Sequence, residues 1–398
     1  MGTSNPSSRK RTQPLRNRPV SHSSATPTFS HTKLTEEAVN TLFYHNVFDT
    51  YPNLEGVSHI NRYDTRAIIL AGPGDTVAIN RASAPQLENI RQHHEIVGIP
   101  LPAIEFVSGP HEVSALFADS MRFSPFKYDE KAHAIVPNQR QLRATRHFDN
   151  KCTIAHTATQ FGVPVPPETT CYQQGADALG HGRDFTYPLI VKAASGASDQ
   201  GNVRVHEPDQ FDAAIVAVGL TSELLVQRLL PGSDYSLLYY VHQNGELRKQ
   251  TATRQYTPYG AHEGNDSVAL PDAVWNIFEP LARAIAIAGF RGPFGLDVFQ
   301  TECGAWAAFE ANARNTAATY FGTAARRLGF PDWVARNIHD CTPDFSINQV
   351  TDLLYSPVRG HGIVITNWAF PKTSVVALGP DQEKQIRTFA KRVGGHVP

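Results

Sequence analysis

The chain has 398 residues, too many for one ordinary core, so its length points to two or three structural units. Hydrophobic residues make up 41% and charged residues 18%, and a formal net charge of -1 gives no electrostatic reason for a nucleic-acid or anionic-membrane partner. No apolar run reaches about 18 residues, so no helix is expected to span a bilayer. Cys152, Cys171, Cys303 and Cys341 are scattered, which supports neither a disulfide framework nor a structural zinc. Isolated thiols fit a reducing compartment, and a cytoplasmic protein is the expectation.

Residues 1–32 are rich in Ser, Pro, Thr and Arg. They carry Arg9, Lys10, Arg11, Arg16 and Arg18 with no acid. Such a segment reads as a disordered basic tail, or as a basic docking arm. It shows no apolar signal-peptide core, and Pro6 stands where a myristoylation signal needs Ser or Thr.

Residues 33–145 form the first expected unit. Residues 66–71 (RAIILA) read as a buried strand broken by Gly72-Pro73-Gly74-Asp75, residues 84–94 as a helix, and residues 103–107 and 134–136 as further strands. Strands alternating with helices predict a parallel sheet. The Gly-Pro-Gly-Asp turn lacks both the GxGxxG spacing and the Lys-Ser/Thr pair of a phosphate loop. It reads as a plain strand-to-helix turn, which also disfavours an NAD-dependent dehydrogenase.

A second unit is expected over residues 146–225. Residues 149–166 read as a helix and then a loop ending in Val163-Pro164-Val165-Pro166-Pro167. Residues 188–192 (PLIVK) read as a strand, 193–202 as a loop of small residues, 203–205 as a strand and 209–218 as a helix. Residues 224–230 (LLVQRLL) are a strand closed by Pro231-Gly232. A third unit, 226–330, contains a long amphipathic helix over 272–289, with Val274, Ile277, Phe278, Leu281, Ile285 and Ile287 on one stripe. Residues 331–398 offer an apolar run at 362–366 and a helix near 382–393, and no motif. The whole predicts an α/β (α+β) protein.

Three stretches carry chemistry. Residues 292–316 read as a β-hairpin with strands 294–300 and 305–313. With a turn at 301–304, Gln300 pairs with Ala305 and Asp297 lies opposite Ala308. Side-chain alternation then puts Asp297, Glu310 and Asn312 on one face, with Arg314 at the strand end. Two carboxylates and an amide among apolar neighbours suit a hard cation such as magnesium. The same pattern also fits a solvated hairpin face, and a one-residue slip separates the groups. In the second stretch a strand delivers Lys192 to a loop containing Ser195, Gly196, Ser198 and Gly201, whose backbone N–H groups can approach phosphate oxygens. A bland hairpin loop has the same composition. The third, Val226 to Ser236, holds Gln227, Arg228 and Leu230 before Pro231-Gly232, then Asp234 just past the turn. An acid there can accept two ribose hydroxyls, or can be an ordinary turn aspartate.

The order of these pieces, from Lys151 to Arg314, resembles the ATP-grasp superfamily. The resemblance covers less than half the chain. It implies ATP and Mg2+ as cofactors and a preceding pre-ATP-grasp α/β domain. It further implies Lys151 and Lys192 as the phosphate lysines, the loop from Ser195 to Gly201 as a flap over the phosphates, and Gln227 at the adenine hinge. Arg228 to Leu230 follow as backbone contacts to adenine, Asp234 as the ribose ligand, Asp297, Glu310 and Asn312 as magnesium ligands, and Arg314 as the arginine that holds an anionic intermediate. Two positions depart from the pattern: Gln227 replaces a glutamate, and Gly295 stands where D-alanine ligase–like members carry an arginine. Arg254, on a strand after the Asn244-Gly245 turn, is a second candidate for charge stabilisation, for clamping a carboxylate, or for a solvated strand position.

By this resemblance the chain is expected to be a carboxylate–amine ligase similar to amino-acid and peptide ligases of natural-product biosynthesis. It would activate a carboxylate as an acyl phosphate and yield ADP and phosphate. Transfer to a carrier-protein thiol and a non-catalytic nucleotide-binding module are the rival readings. The family also suggests a homodimer.

Overall fold

Three β-sheets organise the chain in a computed structural model that describes residues 39–45, 47, 60–196, 202–258, 261–342 and 345–398. The basic tail of residues 1–32, and Ser198 and Gly201 of the small-residue loop, lie outside the described residues.

The first sheet is parallel, as the alternating pattern predicts. It contains β1 (Thr41–Tyr44), β2 (Thr76–Asn80), β3 (Ala103–Val107) and β4 (Arg122–Pro125) in the order β3-β2-β1-β4. Helix α1 (Leu87–Val97) crosses from β2 to β3 and ends at Gly98 in the left-handed conformation. Two short helices, α2 (Pro110–Leu116) and α3 (Glu130–Ile135), follow. Two sequence expectations fail here. Residues 66–71 are not a strand: Ile60–Ile69 forms a 3-10 helix, with Ala67, Ile68 and Ile69 buried by its packing rather than by a ladder. A short apolar run looks the same in either case. Residues 134–136 likewise close α3, which Asp129 caps by accepting from the Ala132 N–H. The Gly72–Asp75 turn is a plain one, its aspartate accepting from Gly72 and Thr41 backbone amides.

Helices α4 (Gln139–Phe148) and α5 (Lys151–Gln160) lead to the second sheet, which is antiparallel: β5 (Thr170–Tyr172), β6 (Leu189–Ala193), β7 (Asn202–Val205) and β8 (Leu224–Arg228) in the order β5-β8-β6-β7. Helix α6 (Phe211–Val218) covers it. Phe211, Ile215, Leu189, Val191, Val205, Leu224 and Val226 form a core of its own.

The third sheet has eight antiparallel strands. These are β9 (Gly232–Val241), β10 (Leu247–Tyr256), β11 (Gly264–Val268), β12 (Gly292–Thr301), β13 (Trp306–Asn312), β14 (Trp333–Ile338), β15 (Gly362–Asn367) and β16 (Thr373–Leu378), ordered β13-β12-β9-β10-β11-β14-β16-β15. Helix α7 (Asp272–Ala288) lays Trp275, Phe278, Leu281 and Ile285 on one face, against Tyr239, Phe294, Leu296 and Val298. Ile287, placed on the apolar stripe by the sequence pattern, is 75% exposed. Helix α8 (Ala317–Arg327) packs on the sheet through Tyr320 and Phe321. It shares a core with Ile68, Ile79 and Ile90 of the first unit and with Ile363, Val375 and Phe389. The last residue belongs to α9 (Gln382–Arg392). Residues 331–398, which carry no motif, thus complete the large sheet and pack against the parallel one.

His93 and His94 are interior. The Ile365 N–H donates to His93 Nε2 at 3.0 Å, and His94 Nδ1 lies 3.1 Å from the Ile99 carbonyl. Burial pushes His94 down to about 4 and His45 down to about 3, and holds His93 well below the usual imidazole range. These rings are neutral in the fold and become protonated only on unfolding. Their contribution is therefore complete above the unfolded value and is lost as pH falls from about 6.5 toward 4. Asp64 works in the opposite direction, because burial pushes its carboxyl up to about 8. A single-site difference isolates one ring: His94→Gln should flatten the pH dependence of unfolding between pH 6.5 and 4 by about 1.4 kcal/mol per pH unit. Urea denaturation at several pH values reads this, and parallel curves for the two proteins would show that His94 titrates normally in the fold.

Candidate functional site

The hairpin at residues 292–312 forms, with a register different from the expected one. The Thr301 N–H donates to Ala305 O at 2.8 Å, so Gln300 pairs with Trp306 and not Ala305. A bulge between Asp297 and Val298 then absorbs Phe309, and Asp297 comes to stand directly opposite Glu310 rather than Ala308. The longer turn and the bulge compensate in phase. Asp297, Glu310 and Asn312 therefore still share one face, with Asn312 opposite Gly295.

That face is built from the hairpin β12–β13, the strands β9 and β10, and the start of α5. Asn312 Nδ2 donates to Asp297 Oδ2 at 2.8 Å, and the Ser236 hydroxyl on β9 donates to Asp297 Oδ1. Gln255 Nε2 on β10 donates to Ser236 Oγ at 3.0 Å. From α5, Lys151 Nζ lies 3.3 Å from Glu310 Oε1, and the lysine is 6% exposed. Burial first, and the Glu310 carboxylate second, hold the Asp297 carboxyl above the ordinary carboxylate range. A lysine, an amide and a hydroxyl thus share the strain of two facing acids. Asp234 lies on β9 two residues before Ser236, opposite Phe299, and so on the same face. Its field also raises Asp297.

Lys151 opens α5 because Asn150 caps the helix: Asn150 Oδ1 accepts from the Thr153 N–H at 2.9 Å while its Nδ2 donates to Glu223 at 2.6 Å. The Lys151 N–H itself donates to Ala194 O at 2.8 Å. This ties the helix start to the end of β6, just before Ser195, which is exposed, and Gly196. Within the second sheet Lys192 pairs with Leu225 and Ile190 with Gln227, so Lys192 and Gln227 share a face two rungs apart. Lys192 Nζ sits 4.8 Å from the centre of the Phe309 ring. The face with Lys192 and Gln227 is thereby turned toward the strand with Glu310.

Gln227 is 2% exposed and donates to Thr169 Oγ1 at 3.2 Å, a bond from its amide that a carboxylate could not make. The Arg228 N–H donates to Pro167 O, and its guanidinium lies 3.8 Å from Glu168. Leu230 is half-buried in the link between β8 and β9.

Arg314 follows the hairpin, its Nε 3.9 Å from Asp149 Oδ1 and its guanidinium carbon 5.5 Å from the centre of the Phe126 ring. Lys127 pairs with the same aspartate. The Arg314 charge lowers Asp297, which places it beside the carboxylate pair. Arg254 is not brought to this group. It stands opposite Tyr235 and Asp266, one residue out of phase with Thr253 and Ser236, and so on the other face of the sheet, where it is exposed and 3.2 Å from Asp266. Its strand was legible, but the face depends on the register with β9. The sequence reading also missed Ser236, Gln255, Phe309 and Asp149. Ser236 is two residues past Asp234 on one strand, and alternation alone could have found it. Asp149 meets Lys127 only through tertiary packing.

No family model and no curated protein matches the sequence. Solved structures do match the fold. N5-carboxyaminoimidazole synthetase from Staphylococcus aureus superposes with a TM-score of 0.58 over 89% of this chain and 98% of that chain, at 12% identity. The biotin carboxylase domain of Hydrogenobacter thermophilus 2-oxoglutarate carboxylase, solved as a dimer with MgADP, ADP and bicarbonate, gives 0.58 over 90% of each chain at 10% identity. Carboxyaminoimidazole ribonucleotide synthase from Aspergillus clavatus, complexed with ATP, gives 0.53 over 89% of this chain and 98% of that chain at 14% identity. The chain has the ATP-grasp fold of these enzymes, with an N-terminal α/β domain before it. Among the described residues no helix is long and apolar enough to cross a membrane.

The join between the second and third sheets is sterically exact at one residue. Gly232 has a φ of 156°, and a Cβ there would lie 2.1 Å from Gln300 O. Gly232→Ala should lower the unfolding free energy by roughly 2 kcal/mol. Urea denaturation reads it, and a cost under about 0.5 kcal/mol would show that the β8–β9 link yields freely.

Proposed function

We propose that the chain is an ATP-dependent ligase that activates a carboxylate as an acyl phosphate and joins it to an amine, releasing ADP and phosphate. The observation that carries this reading is the Asp297–Glu310 rung with buried Lys151 at 3.3 Å, set in a fold whose neighbours are solved with ADP, ATP and MgADP. The donor set fits magnesium. Among the described residues no group of three His, Cys, Asp or Glu side chains offers a full metal cage. Two carboxylates and an amide suit a cation that takes its remaining oxygens from phosphates and water. Asp297, Glu310 and Asn312 would hold it, and when bound it supplies charge neutralisation along the phosphates.

In this reading residues 33–145 are the pre-ATP-grasp domain, 146–225 the lid, and 226–330 the large subdomain, whose sheet residues 331–398 complete. Lys151 and Lys192 bind phosphate oxygens, and Lys151 exchanges Glu310 for them as the nucleotide enters. Ser195, Gly196, Ser198 and Gly201 close over the phosphates and exclude water from an acyl phosphate that hydrolyses easily. Gln227 and the backbone from Arg228 to Leu230 hold adenine, and Asp234 accepts the ribose hydroxyls. The substrate carboxylate attacks the γ-phosphorus in line, where positioning and charge do most of the work. The amine then attacks the acyl carbon, Arg314 stabilises the tetrahedral oxyanion, and phosphate leaves. Arg254 takes no part. Amino acids or peptides are the proposed substrates, in a cytoplasmic enzyme of natural-product type.

ATP turnover with magnesium and a panel of amino acids, singly and in pairs, tests the reading. ADP and phosphate should form only with certain acids. Asp297→Ala and Glu310→Ala should each lower the rate by about a thousandfold or more while keeping a cooperative urea transition, which shows that the variant still folds. Full activity in either variant, or AMP and pyrophosphate as products, would overturn it. A mass shift on a carrier protein would redirect the acceptor from an amine to a thiol.

A further inference from the structure

Arg66 belongs to the 3-10 helix Ile60–Ile69, in a stretch whose apolar run disguised it. Its guanidinium carbon lies 4.9 Å from the Tyr63 ring centre, 4.8 Å from that of Tyr320 and 5.5 Å from that of Phe126. Its Nε donates to Tyr63 O at 3.0 Å. Three rings and one carbonyl therefore fix the plane of the fork while the side chain stays half-exposed. No carboxylate among the described residues is within ion-pairing distance of it. Neighbouring Asp64 spends its oxygens on the Asn80 N–H and the Ser83 hydroxyl. His45 spends Nδ1 on the Tyr320 hydroxyl, at 2.8 Å.

Arg336 shows what a structural arginine looks like in this chain. It too stacks on a ring, 4.1 Å from the centre of Tyr256, but it is 3% exposed and is paired with both Asp266 and Glu383. Arg66 has the aromatic seat without the acids. The Phe126 ring is also 5.5 Å from the Arg314 guanidinium, so the two cations share one aromatic wall. The Arg314 charge lowers the Asp297 carboxyl, and both arginines act on the Tyr320 phenol.

We propose that Arg66 is a specificity-determining residue that recognises a carboxylate on a substrate seated beside Arg314. This rests on the ligase reading. The group recognised is the α-carboxylate of an amino-acid acceptor or a second carboxylate on the acid being activated. Both offer a planar anion that a fixed guanidinium can grip with two parallel hydrogen bonds.

Calorimetric titration of the full chain with MgADP present tests this with two probe pairs: succinate against succinamate, and alanine against alaninamide. In one pair the wild type should prefer the member with the extra carboxylate by about tenfold. Which pair does so identifies the source of the carboxylate. Arg66→Gln should reduce that preference to under about twofold while leaving MgADP affinity unchanged. Arg66→Lys, which keeps the charge and the ring contacts, should retain part of it and guards against misfolding of the glutamine variant. No preference in either pair, or a preference that survives in Arg66→Gln, would overturn the proposal. Failure of the wild type to bind MgADP would instead overturn the ligase reading.

Discussion

Two carboxylates facing one another across a single rung, Asp297 on β12 and Glu310 on β13, are the constraint around which the rest of the molecule is arranged. Like charges directly opposite in a sheet are destabilising. Here the strands cannot slip to relieve them. Phe294, Leu296 and Val298 alternate with the acid and are locked under α7, so any slip would turn an apolar side chain out and the carboxylate in. The repulsion is met locally by the Ser236 hydroxyl, the Asn312 amide and the Lys151 ammonium. Each comes from a different element. The rung therefore fixes the hairpin, the neighbouring strand and the start of α5 together.

The second sheet joins this arrangement at the start of α5, where Cys152 and Ala155 are buried with Ala194 and Leu225 and the Lys151 N–H donates to Ala194 O. It has its own core, and its described side-chain links to the rung are the Lys192 ammonium on Phe309 and, through α5, Lys151 on Glu310. A cation on an aromatic face contributes about 0.5–2 kcal/mol depending on desolvation. That is small against a buried core. The Phe309 bulge serves both halves: it restores the phase that puts Glu310 opposite Asp297, and it supplies the ring on which the other sheet's lysine rests. On the proposed function, phosphates entering between the sheets take over both lysines, replacing these contacts with stronger charge-assisted ones.

Much of this was legible because it is local. Lysine, small-residue loop, Pro-Gly-x-acid, long helix and Asp followed by Glu-x-Asn occur in chain order, and each occupies one element or one turn. The shared face of Asp297, Glu310 and Asn312 was reached through a wrong register, because a turn one residue longer and a one-residue bulge cancel in parity. Where parity had to pass between strands, the reading failed. Arg254 sits one residue out of phase with Ser236, and nothing in its own strand says so. The run at 66–71 failed for a different reason. Six residues are too few to separate period two from a tight helix, and burial came from the C-terminal strands, hundreds of residues away in sequence.

Charge placement follows the same division. The acids arise on the large sheet, where alternation displays them. Two arginines, Arg314 and Arg66, are seated on rings of the N-terminal unit and of α8: Phe126 for both, with Tyr63 and Tyr320 for Arg66. An exposed arginine retains much rotamer freedom, and fixing it against solvent is costly. Aromatic faces fix the guanidinium plane without neutralising it, whereas an acidic partner fixes and neutralises at once, as Asp266 and Glu383 do for Arg336. The N-terminal unit thus contributes more than a packing surface for residues 331–398. It seats Arg66 among rings with no acid among the described residues at ion-pairing distance, and it holds Arg314 against Phe126 and Asp149.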